Sequence, residues 1–261
     1  MLDISLRLLV LVAAIVQIVF PYIVNPFADG AQPVRASDLS MIEPARYAFA
    51  IWGPIYLGAV AYAVWQLTPA GRRTPATARI APLALAVYAG STAWLSAVEY
   101  GPLWATMPIL AVMAAAAIAC LVLAVAGKQG SLAEEFVLVV PFGLYAGWTV
   151  AAIFVNVAEV APGYGFDRFG LSAGSYAVGS IGVLTGIVLA TLWATRGNLT
   201  FAATVAWALA AIIVAAFERG YDGAVPVAAG AALGVVALAT LVIRSRSGGA
   251  PRARAPGNLP T

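Results

Sequence analysis

Residues Pro141–Asn156 read PFGLYAGWTVAAIFVN, inside an apolar run from Phe136 to Ala161. At helical spacing Pro141, Tyr145, Trp148, Ala152 and Asn156 fall on one face. That face carries a hydroxyl, an indole and a carboxamide in a segment long enough to cross a bilayer. A lone amide in hydrocarbon costs a few kcal/mol, so Asn156 must point at protein, water or a ligand. The stripe marks an interior.

Outward from this stretch the whole chain is apolar. Hydrophobic residues make up 62%, charged residues 10%, and the mean hydropathy is +0.93. A soluble domain carries about 25% charged residues, so the fold class is an all-α integral membrane protein. Eight candidate spans cover residues 4–24, 47–67, 79–98, 103–126, 135–161, 172–195, 199–218 and 223–243. The N-terminal run is read as the first span, because its apolar core is long for a signal peptide.

The charges sort by side. With eight spans, ten of the fourteen Lys and Arg residues fall with the N-terminus, loops 68–78, 127–134 and 196–198, and the C-terminal tail. Eight of the eleven acids fall on the other side. The positive-inside rule then places both termini in the cytoplasm, with the bacterial inner (plasma) membrane as the expected location. The Arg-, Pro- and Gly-rich tail 244–261 reads as disordered, its basic residues touching anionic lipid.

Several chemistries are excluded. The chain has no histidine, so His-ligated haem, His metal sites and His general bases are absent. Its one lysine, Lys128, lies in a loop, which rules out an intrahelical Schiff base. A single cysteine, Cys120, gives no disulfide framework and no metal cluster. No phosphate-cradling glycine motif is present, and no mid-span carboxylate suggests ion coupling. Nothing calls for a nucleic-acid partner.

Two other spans carry aromatic stripes. EPARYAFAIWGPIYLGAVAY places Phe49, Trp52 and Tyr56 on one face of the second span, with Pro54 bending its start. An interfacial Trp/Tyr belt is the plain alternative for the residues nearest the loop. In AVYAGSTAWLSAVEYG of the third span, Tyr88, Ser91 and Trp94 fall on one line, where close helix packing is the alternative. Three such stripes converging make an aromatic pocket with a few polar groups, the usual character of a small-molecule site.

These segments resemble the translocator protein / tryptophan-rich sensory protein family (TspO/MBR). That family enters its second helix on P-P-x-W-x-F-x-P-V-W-x-x-L-Y; here stand Pro44, Phe49, Trp52, Pro54 and Tyr56, with the same Trp-to-Tyr step. Its N-x-x-W element is matched by Ser91–Trp94, with Ser for Asn. Its fifth helix places Asn eight residues after Trp, as do Trp148 and Asn156. The likeness covers residues 4–165, and the long loop 25–46 matches the family's ligand-capping loop. The implied organisation is a five-helix domain (1–165) with a lid at 25–46, three further helices (166–243) and the tail.

The resemblance implies a receptor, sensor or transport protein for a flat hydrophobic ligand, such as a porphyrin, haem, or a sterol- or isoprenoid-like molecule. The ligand-binding residues it points to are Phe49, Trp52, Tyr56, Ser91, Trp94, Tyr145, Trp148 and Asn156, with Arg35 or Arg46 for propionates. No cofactor is required; a bound tetrapyrrole is the group implied. Two alternatives stand beside it. One is a Trp-dependent porphyrin-degrading enzyme, for which no acid–base pair or nucleophile is visible. The other is a membrane scaffold without a small-molecule site. Small-x-x-x-small steps at Gly143–Gly147, Gly170–Gly174, Gly182–Gly186 and Gly230–Gly234 allow close helix contact, within the chain or in a homodimer.

Overall fold

The computed structural model describes residues 4–24, 40–165, 168, 170–221 and 223–248. Most of the lid (25–39) and the tail beyond 248 lie outside the described residues. Eight helices are long and apolar enough to cross a membrane. Their regular α-helical parts are α1 (Ile4–Val24), α2 (Trp52–Trp65), α3 (Pro75–Glu99), α4 (Thr106–Gly127), α5 (Val140–Val160), α6 (Ala173–Ala194), α7 (Leu199–Glu218) and α8 (Ala224–Gly248).

Ends differ from the expected bounds where prolines and caps act. Residues Arg46–Ile51 wind as a 3₁₀ turn ahead of α2, because Pro54 has no N–H for the carbonyl four residues back. Pro75 at the first turn of α3 starts that helix four residues early. A π turn, Glu135–Val139, precedes Pro141 and absorbs the same break in the ladder. The last helix continues through Gly248, so residues 244–248 are helical rather than part of the tail.

The helices pack as two rings that share α5. The first closes in the order α1, α2, α5, α4, α3; the second in the order α5, α7, α8, α6. Position in two rings explains the apolar run around Trp148. In α5 and its flanking turns 67% of the most apolar window is buried, against 22% in α1 and in α8. A helix enclosed by protein on both sides is hydrophobic all round.

Close approach to α7 depends on two glycines of α5. A Cβ at Gly147 would lie 2.7 Å from Thr204 Cβ, and one at Gly143 would lie 2.9 Å from Thr200 Cβ. The Gly143–Gly147 step is thus used within the chain. Around Gly182, Gly186, Gly230 and Gly234 a Cβ would meet nothing within 4 Å.

The inner face of α1 is Arg7, Val10, Ala14 and Gln17, all buried. Arg7 Nη1 donates to Gln66 O, and Gln66 Nε2 returns a bond to Arg7 O at 3.3 Å. This reciprocal pair ties the start of α1 to the end of α2.

Candidate functional site

A cavity of about 490 Å³ opens at the end of the first ring where the long first loop rejoins the bundle. That size lies within the roughly 300–1,000 Å³ of small-molecule pockets. Its walls come from the ends of α1, α2, α3, α4 and α5, from residues 43–49, and from Ala208 and Ile212 of α7.

Seven of the eight residues picked from the sequence line it: Phe49, Trp52, Tyr56, Ser91, Trp94, Trp148 and Asn156. The stripes of the second, third and fifth spans therefore converge. Their rings form one cluster. Trp52 stacks on Tyr56 with centroids 5.2 Å apart, and meets Trp148 edge-on at 6.3 Å. Phe49 meets Trp148 edge-on at 5.6 Å. Such pairs contribute about 0.5–1.5 kcal/mol each beyond burial, so the aromatic wall is held in shape.

Tyr145 is the exception. It shares a helix face with Asn156 but lies three turns deeper, beneath Trp52, whose ring meets it edge-on at 6.0 Å. Only 1% exposed, it donates its hydroxyl hydrogen bond to Gln17 Oε1 at 2.8 Å. It belongs to the floor under the cavity, not to its lining.

Asn156 is buried, as its cost in hydrocarbon demands, and its partner is Thr106 of α4. Thr106 Oγ1 lies 2.6 Å from Leu103 O and 3.0 Å from the amide oxygen of Asn156. A hydroxyl has a single proton to donate. Both contacts are hydrogen bonds when the hydroxyl donates to Leu103 and the carboxamide is turned to present its NH₂ to Thr106, an amide orientation that heavy-atom positions alone leave open. The amide oxygen then has a free acceptor edge. On the third helix, the Trp94 indole N–H is buried with no acceptor among the described residues.

Of the charged mouth, sequence reasoning named only Arg46. Glu43, Arg46 and Glu159 also line the cavity. Arg219, just after α7, pairs with Glu43 at 2.9 Å. Burial nevertheless holds the Glu43 carboxyl above its ordinary range, against the opposing effects of Arg219 and Arg46. The available signal was Glu159, which continues the Trp148–Ala152–Asn156 stripe by three residues. Trp207 donates its indole N–H to Ala48 O at 3.1 Å and meets Tyr47 edge-on. Trp193 is exposed, as an interfacial residue is.

Among the described residues no group of His, Cys, Asp or Glu is placed to hold a metal ion. Cys120 is fully buried between helices. The arrangement offers flat apolar faces, the Asn156 amide, the hydroxyls of Tyr56, Ser91 and Thr106, the Trp94 indole donor and the charged groups of the mouth.

A family model of TSPO-like proteins matches residues 7–242. The chain belongs to the TSPO-like protein family. The match runs from α1 into α8, whereas the motif resemblance reached only residue 165, so the last three helices are part of what the family model describes. No curated protein and no solved structure matches the chain. As a TSPO-like protein with eight apolar helices, it is an integral membrane protein of the ligand-binding, sensory kind.

Proposed function

We propose that this TSPO-like protein binds a flat hydrophobic ligand, a tetrapyrrole or a sterol- or isoprenoid-like molecule, in the cavity between α2, α3, α5 and α7. The observation that carries the reading is the meeting of Trp52, Tyr56, Trp94 and Trp148 around one space of about 490 Å³. A membrane scaffold has no need of an aromatic-walled cavity containing a carboxamide. Indole faces stack on a macrocycle or a fused ring system. Asn156 and the Trp94 N–H supply directional contacts to polar atoms on its rim. The charge bias of the loops supports an extracytoplasmic cavity, within reach of ligand arriving from that face or from the outer leaflet.

The test is quenching of tryptophan fluorescence by protoporphyrin IX, using purified protein in detergent and the Trp52→Phe and Trp148→Phe variants. Saturable quenching at micromolar ligand or below, weakened by either substitution, supports the reading. Non-saturable quenching of equal size in all three proteins means partition into detergent and defeats it.

A further inference from the structure

The outer wall of the cavity is a short stretch of chain, Glu43–Phe49, and the C-terminal half of the protein holds it. Arg219 donates from Nη2 to Glu43 Oε2 at 2.9 Å and from Nη1 to the main-chain oxygen of Glu43 at 3.1 Å. Two residues on, Ala45 N donates to Ala211 O at 3.0 Å. Three further on, Ala48 O accepts from Trp207 Nε1. Apart from bonds to its chain neighbours Ser40 and Trp52, the hydrogen bonds that leave this stretch among the described residues run to α7 and its C-cap. Ring α1–α5 supplies the floor of the cavity and meets this wall through the Phe49–Trp148 ring contact and the junction with α2.

We infer that Arg219 is a positioning residue for the ligand site, its guanidinium fork fixing Glu43–Phe49 so that ligand residence is set from α7. The inference rests on the cavity being the ligand site, as proposed above. Glu43, Pro44, Arg46 and Phe49 all face the cavity, so a displacement of the stretch opens it. Glu43 is 8% exposed, and a carboxylate that loses its cation at that depth moves toward water. Phe49 lies at the other end of the same stretch and packs on Trp148, so the movement reaches the aromatic wall. The guanidinium reaches the carbonyl and the carboxylate from two separate nitrogens of one plane, whereas a lysine has a single ammonium nitrogen to share between them.

The experiment pairs backbone hydrogen exchange with stopped-flow dissociation of protoporphyrin IX, for wild type, Arg219→Lys and Arg219→Gln. In Arg219→Gln the amides of 43–49 exchange at least about tenfold faster, those of α4 do not change, and ligand leaves about tenfold faster with little change in association rate. Arg219→Lys falls between the two. Faster exchange with an unchanged dissociation rate makes Arg219 merely structural and overturns the inference, as does unchanged exchange in 43–49. If wild type shows no saturable binding, the ligand-site reading itself fails; the exchange data then still report separately whether α7 fastens the stretch.

Discussion

Asn156 is the side chain whose cost is clearest. Its carboxamide sits at 8% exposure with Thr106 as partner. Asn156→Leu should leave membrane insertion and folded yield intact while weakening ligand binding by about 1–3 kcal/mol, roughly five- to 150-fold in Kd, measured by fluorescence titration. Thr106→Val should have a smaller effect of the same sign, because it frees the carboxamide without removing it. Unchanged affinity in Asn156→Leu would take the residue out of the site. Asn156, Trp148, Trp52 and Trp94 were legible because a polar or indole side chain repeating at three and four residues in an apolar helix has few explanations. Tyr145 was misjudged because spacing reports the face of a helix and not the depth along it. Tyr145 and Asn156 share an azimuth, yet Trp52 lies over one and the cavity over the other.

At the scale of elements, α5 does the most. Its cavity stripe faces the first ring while Gly143 and Gly147 admit α7 on another side. Gly147→Val should lower thermal stability by about 1–3 kcal/mol, seen as a fall in Tm in detergent, since even a methyl group there must displace Thr204 or the backbone. Gly182→Val, at a glycine with open space around it, should leave Tm nearly unchanged. If the two substitutions behave alike, the α5–α7 contact is not as described. The eight spans were readable from hydropathy and charge, and the small-residue steps from spacing. Which steps are used inside the chain was not, because glycines facing lipid and glycines facing a helix look identical in sequence. The 3₁₀ and π turns beside Pro54 and Pro141 were foreshadowed only by the prolines.

At the scale of the molecule, two helix rings share one wall, and the cavity draws on both. The division at residue 165 follows the motifs, while the contacts that hold Glu43–Phe49 at the cavity come from α7 and its C-cap. Those contacts are a main-chain amide on Ala211, an indole on Ala48 and an arginine on Glu43, none of which leaves a pattern in one sequence. A chain ending at Gly165 should therefore lose protoporphyrin IX binding even where it inserts and remains helical by circular dichroism. Full binding by that fragment would show that α7 is dispensable.

The claim beneath all of this is that the space between α2, α3, α5 and α7 receives the ligand. Ala152 lines it, and the single native cysteine, Cys120, is buried at 0% exposure, so Ala152→Cys places one accessible thiol in the cavity. The measurement is the rate of maleimide labelling of that thiol with and without protoporphyrin IX. Saturable protection, with a midpoint equal to the Kd from fluorescence, is the predicted result. Labelling at the same rate at every ligand concentration, in a variant that still quenches saturably, would put the ligand elsewhere and contradict the account.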